Sequence, residues 1–280
     1  MIKRLTDSHI HFWQPDILRY EWLAGLPFIN RPYTPADLVR AAGDAPLQKI
    51  VFVQADCIAA DGLNEVAWVS ELAAAEPRIQ GIVAFAPLEE VEAADYLAQL
   101  GRYPLVKGVR RLIQSESLSF ASSPDFVRGV QKLADFNYTF DICIRHEQLS
   151  AAIELVSRCL AVRFVLDHLG KPALKDRVLE PWAADLRRLA DLPNVWCKLS
   201  GLVTEADWQG WTAADLQPYI DRALAAFGPE RLMFGGDWPV SELAAAYGRW
   251  LQTAESAVHH LTEGERDGIF YANAVDFYGL

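Results

Sequence analysis

The chain has 280 residues, 51% of them hydrophobic and 22% charged, with a formal net charge of −11. That length suits one α/β barrel with a sizeable core, and the composition excludes a disordered chain. The acidic balance argues against nucleic acid or an anionic membrane surface as partner, no apolar run approaches a membrane helix, and the start Met1-Ile2-Lys3-Arg4 lacks the apolar core of a signal peptide. A cytoplasmic protein is expected, and its four cysteines, Cys57, Cys143, Cys159 and Cys197, contain no CxxC pair and read as buried free thiols.

Along the chain, short β-branched or aromatic runs alternate with longer Ala/Leu-rich segments at helical spacing. Strands are predicted at Leu5–Ile10, Lys49–Gln54, Gly81–Ala86, Leu105–Arg110, Tyr138–Ile144, Arg163–Asp167, Val195–Leu199 and Leu232–Gly236. Helices are predicted at Pro35–Ala42, Leu63–Ala75, Val91–Leu100, Pro124–Phe136, Leu149–Cys159, Ala183–Ala190, Ala214–Phe227 and Ser241–Ala257. Pro35, Pro124 and Pro181 fall where first helical turns should lie, a place that tolerates a missing N–H. Eight such repeats with right-handed crossovers predict a single-domain (β/α)8 TIM barrel over residues 1–280, with an open doubly wound sheet as the structural alternative. The longest irregular stretches, Phe12–Tyr33 and Leu112–Ser123, each follow a strand and should lie over the C-terminal face, where barrel active sites are built.

Chemistry-bearing residues collect at strand ends. Asp7, His9 and His11 alternate on the first strand, so strict alternation sends all three to one face. The apolar neighbours Ile10 and Phe12 suit the helix layer better, so the polar trio should face inward. Two imidazoles so placed suit a metal or a polarising pair. His168 ends strand six after Phe164-Val165-Leu166-Asp167, and Asp237 ends strand eight after Gly235-Gly236, where a carboxylate can act as general base or metal ligand. Arg110 and Arg111 close strand four and could clamp an oxyanion. Gln54 closes strand two. On strand seven, Lys198 or Ser200 could face the site. Trp13, Trp22, Trp208 and Trp238 lie on or near loops of the same face and could wall a sugar or flat ring. His146 is offset from its strand end, and His259 and His260 read as solvated.

Taken together, Asp7-Ser8-His9-Ile10-His11-Phe12-Trp13, Val53-Gln54-Ala55, Lys107-Gly108-Val109-Arg110, Asp167-His168-Leu169-Gly170-Lys171-Pro172, Cys197-Lys198-Leu199-Ser200-Gly201 and Phe234-Gly235-Gly236-Asp237-Trp238-Pro239 resemble, in order, a lactone-hydrolase subgroup of the amidohydrolase superfamily. That subgroup includes sugar-acid lactonases, 4-sulfomuconolactone hydrolase and 2-pyrone-4,6-dicarboxylate hydrolase. The resemblance implies a barrel that opens a lactone with water. His9, His11, His168 and Asp237 would be its catalytic set and Arg110 its strand-four arginine, while Arg111, Gln54, Lys198, Trp22 and Trp238 are expected from their positions to contact substrate. Two departures stand out: Arg111 where the family often has His, and Gly236 where it often has Ser.

Lys107 lies too deep, and His146 too far off the strand, for a two-metal centre. The resembled subgroup includes members that work without metal and members found with one, so the resemblance requires no cofactor, and one divalent ion such as zinc could sit on His9, His11 and Asp237. The expected substrate is a sugar-acid (aldono) lactone such as L-fuconolactone or L-rhamnonolactone. The alternatives are a pyrone dicarboxylate or muconolactone, a metal-dependent decarboxylase of the same superfamily, and a sugar-binding barrel without turnover. A homo-oligomer is compatible with this reading.

Overall fold

The computed structural model describes residues 2–280, and its core is a ring of eight parallel strands in the order β1 to β8. These are β1 (Leu5–Ile10), β2 (Leu47–Val53), β3 (Ile79–Ala84), β4 (Val106–Val109), β5 (Thr139–Ile142), β6 (Phe164–Leu166), β7 (Val195–Leu199) and β8 (Leu232–Phe234). The first and eighth strands meet just beyond their ends. The His11 amide donates to the Trp238 carbonyl and the Asp237 amide to the His9 carbonyl, both at 2.8 Å. The expected single-domain (β/α)8 barrel is therefore the observed architecture, and the open sheet is not.

The crossovers carry α1 (Pro35–Ala42), α2 (Gly62–Ala75), α3 (Ala93–Leu100), α4 (Pro124–Gln131), α5 (Leu149–Arg158), α6 (Trp182–Ala190), α7 (Leu202–Glu205) and α8 (Ala213–Phe227). After β8 follow α9 (Tyr247–Ala257), α10 (Glu263–Asp267) and α11 (Asn273–Tyr278). Local chemistry starts several of them. Pro35 and Pro124 occupy first helical turns, and Asp37 and Asp215 reach back to the amides and hydroxyls of Thr34 and Thr212. Pro181 instead caps α6, which begins at Trp182.

Several predicted elements are shorter in the structure. Strands four, five, six and eight end one or two residues early, because the backbone leaves the ladder to aim side chains at the mouth of the barrel. The helix expected over Pro124–Phe136 tightens into a 3₁₀ turn after Gln131, and the one expected from Ser241 begins only at Tyr247.

Two apolar clusters hold the layers. The larger lies between strands and helices. The smaller fills the ring: Val51, Val53, Val83, Val165 and Met233 pack against Ala274, Phe277 and Tyr278 of α11, which plugs the end away from the catalytic loops. The four cysteines are buried and unpaired, as expected. Among the described residues, no helix is long and apolar enough to cross a membrane.

Candidate active site

The site starts with an irregularity in β1. The pairing with β2 slips between Asp7 and Ile10, so the simple two-residue alternation breaks between Asp7 and His9. His9 and His11 face the ring interior. Asp7 does not join them, contrary to the strict-alternation reading. Its carboxylate accepts from the amides of His9 and Gly236 and from the hydroxyl of Tyr247 on α9, in the helix layer. Asp7 thus ties the β1–β8 seam to the outer shell.

His168 is presented by a left-handed turn. His168, Leu169, Gly170 and Lys171 all have positive φ, 53°, 53°, 72° and 49°. Each non-glycine residue there costs about 1–2 kcal/mol. The turn is held by the Trp182 indole, which donates to Leu169 O at 2.7 Å, and by Lys171 N, which donates to His168 O. Gly201 makes room for the imidazole, because a Cβ there would come within 2.3 Å of His168 Nδ1. Asp237 also has positive φ, 52°. It is aimed inward beside Gly235, whose missing Cβ leaves space for His9.

These four side chains converge. Oδ1 of Asp237 lies 3.6 Å from Nε2 of His11, 3.8 Å from Nε2 of His168 and 3.9 Å from Nε2 of His9. The ring centroids of His9 and His168 are 4.5 Å apart, and those of His9 and His11 are 4.9 Å apart. Burial pushes the pKa of all three imidazoles down, so they stand neutral at neutral pH. Burial opposes ionisation of Asp237 too. The adjacent His168 and His11 and the charge of Lys171 more than offset it, and the carboxyl sits below its ordinary range.

Beneath His9 lies a buried charged layer. Nζ of Lys198 is 2.5 Å from Asp141 Oδ2, 3.1 Å from Asp167 Oδ1 and 3.1 Å from His9 Nδ1. Arg110 reaches Asp167 Oδ2 at 3.2 Å, His9 Nε2 at 3.3 Å and the Gln54 carbonyl at 2.5 Å. Burial raises the Asp167 pKa, but Lys198, His9 and Arg110 overcome it and hold the group well below the usual carboxylate range. Two carboxylates and two cations thus balance around a neutral imidazole.

Above the cluster opens a cavity of about 430 Å³, bounded at its base by His11, Arg110, His168 and Asp237. Its walls include Trp22, Asp56, Gln114, Ser115, Arg145, Lys171, Glu205 and Trp208.

Several residues expected to touch substrate lie elsewhere. Arg111 is held by Glu89 and Glu116 and rests near the Phe120 ring, outside the cavity. Lys198 is fully buried a layer below His9, whereas Ser200, facing the same side of β7, bonds Nδ1 of His168 at 2.8 Å. The Gln54 side chain accepts from the Asp56 amide. Trp238 is fully buried against Tyr33 and Phe12, with its indole donating to Glu242. Trp13 is buried likewise, and His259 and His260 are exposed in the turn that follows α9 and not on the helix expected to carry them. Trp22 does line the cavity, and Arg110 closes its base with its donors largely committed.

Sequence reasoning missed Asp141, although a lone carboxylate within the apolar run of β5 signals a buried partner. Gln114, Ser115 and Glu205 come from irregular or short segments with no periodicity to mark them.

The match of the amidohydrolase family to residues 6–280 covers nearly the whole chain. The chain belongs to this family. Over 98% of its length it is 39% identical to an L-fucono-1,5-lactonase of Burkholderia multivorans, across 95% of that protein. An L-rhamnono-gamma-lactonase of Scheffersomyces stipitis is 27% identical over 72% of this chain and 69% of that one. A crystal structure of a Burkholderia multivorans amidohydrolase with bound zinc superposes with a TM-score of 0.90, at 39% identity over 99% of both chains.

Proposed function

We propose that this amidohydrolase is a lactonase that opens a sugar-acid (aldono) lactone with water. The observation that carries the reading is the ring of three neutral imidazole edges around an ionised Asp237, at the base of a cavity walled by donors and acceptors of both signs. Such walls suit a ring bearing several hydroxyls. A dicarboxylate would call for several convergent free cations, and with Arg110, Arg111 and Lys198 committed to carboxylates Arg145 is left without such a partner. The likeness to sugar-acid lactonases supports the same reading.

In this reading Asp237 takes a proton from water as the water oxygen bonds to the lactone carbonyl carbon. With the Ser200 hydroxyl donating to Nδ1 of His168, an N–H at Nε2 would face the developing oxyanion. Collapse breaks the bond from the acyl carbon to the ring oxygen, and the proton held by Asp237 passes to that oxygen. The hydroxy acid formed then ionises and releases one proton to solvent.

The donor set also fits one divalent ion. His11 donates Nδ1–H to the Val53 carbonyl at 2.7 Å, so its Nε2 carries a lone pair facing an Asp237 oxygen that is itself an acceptor. His9 matches when its Nδ1–H points to Asp167. His9, His11 and Asp237 would hold the ion, zinc being the metal bound in the similar crystal structure. Such an ion would polarise the carbonyl and acidify water. Four buried, unpaired cysteines support a cytoplasmic site of action.

The test is a pH-indicator assay over a panel that includes L-fucono- and L-rhamnonolactones, run with and without chelator. Turnover of aldonolactones above the spontaneous rate is expected. Carbon dioxide release from an aromatic acid, with every lactone inert, would replace this reading with a decarboxylase.

A further inference from the structure

A second hollow, of about 600 Å³, lies beside the catalytic cavity. It is framed by the turn after β5, by the segment following the left-handed turn after β6, and by α7 with the loop that follows it. Arg145, Lys171, Thr204, Glu205 and Trp208 line both spaces, so the two adjoin. Each is as large as pockets that enclose a whole drug-sized ligand, and a single lactone ring is smaller than that. The architecture therefore provides more room than one monosaccharide uses.

Three features indicate what the outer groove holds. Trp208 is 43% exposed, the one tryptophan among the large exposed hydrophobic residues described. Its indole N–H donates to Thr204 O at 2.8 Å, which fixes the ring by its edge and leaves a face uncovered. A pinned, exposed aromatic face suits the apolar face of a sugar. The lining also mixes signs, with Lys175 and Arg145 alternating with Asp176, Asp207 and Glu147. An anion would want one sign, whereas a neutral polyol can use donors and acceptors together. Finally, Arg145 makes no ion pair or side-chain hydrogen bond among the described residues, so its donors are available at the junction of the two spaces.

We propose that this groove is a glycosyl subsite: the enzyme accepts lactones carrying a second, uncharged sugar on a ring hydroxyl, and that sugar stacks on Trp208. The proposal rests on the lactonase reading and names the substrate class of the same site.

The experiment measures kcat/KM for a panel of aldonolactones, each free and bearing one β-linked glucosyl unit, with wild type, Trp208→Ala and Ala173→Trp. Ala173 lines only the outer groove, where an indole would fill it. Expected is a glycosylated substrate used by the wild type at least as well as its free counterpart. That preference should fall about tenfold in both variants, the order of one lost aromatic contact. In Ala173→Trp the free lactone should keep its rate within about twofold, because only outer space is lost. If glycosylated lactones are slower than free ones by the same factor in wild type and both variants, the subsite is overturned while the lactonase reading stands. If no lactone is turned over, both fall.

Discussion

Asp237 is asked to do the proton chemistry, and its surroundings are arranged for that. It is almost fully buried, yet the imidazoles and Lys171 keep it ionised. Asp237→Asn preserves shape and hydrogen-bonding capacity but removes the base. We expect kcat to fall about 10²–10⁴-fold, the usual range for general-base removal, with an unchanged circular dichroism spectrum. Full retained activity would take the role from this residue.

Glu65, behind the cavity wall at Ala55, makes a different prediction. It is fully buried, accepting from the Ala55 amide and Tyr20 hydroxyl, and burial raises its pKa to about 7. Because the folded state holds this proton more tightly than the unfolded one, its contribution is fully present below the ordinary glutamate range. It is lost as pH rises through about 7. Glu65→Gln should therefore flatten the stability profile between pH 5 and 8, and should stabilise at pH 8 by on the order of 2 kcal/mol. Urea melts across that range read the effect directly. A variant whose slope matches the wild type would show that the carboxyl titrates normally.

At the level of elements, the left-handed turn after β6 and the glycine after β7 work as one device. The turn throws His168 into the ring, and Gly201 leaves the space the ring needs. A methyl group at 201 would overlap the imidazole and would also sit at φ +61°. Gly201→Ala should thus cost about 1 kcal/mol of stability and lower kcat at least about tenfold by displacing His168. A variant with lowered Tm but normal kcat would separate the turn from catalysis.

This device also shows where sequence reading reaches and where it stops. The alternation of apolar strand runs with helical segments made the barrel legible, the one-apart spacing on the first strand flagged His9 and His11, and polar residues closing apolar runs flagged His168 and Asp237. Asp7 was misplaced because a slip in strand pairing leaves no mark in composition. The sequence left Lys198 and Ser200 as alternatives, because a strand-end pattern gives no depth: Lys198 lies a layer below His9 and Ser200 meets His168. The cavity walls were mostly unseen, since loop residues such as Gln114 and Ser115 carry no period.

For the molecule as a whole, α11 links the plugged end of the ring to the catalytic layer. The Tyr278 hydroxyl donates to Asp141 Oδ2 at 2.8 Å, and the same oxygen receives Lys198, which borders His9. Tyr278→Phe keeps the packing and removes one buried hydrogen bond, so Tm should drop by about 2–4 °C for the roughly 1 kcal/mol lost. An unchanged melting curve would mean that Asp141 is satisfied by Lys198 alone.

The seam between β1 and β8 has a further consequence. The two amides that close the ring belong to His11 and Asp237, and one of the two receiving carbonyls is that of His9. Sealing the cylinder and assembling the proton-handling quartet are thus a single event, joining segments more than two hundred positions apart. An intermediate with all seven strand pairings formed and the last seam open would have nearly native ellipticity and no turnover. During refolding from urea, regain of catalysis should therefore trail the far-ultraviolet signal and time the moment of closure.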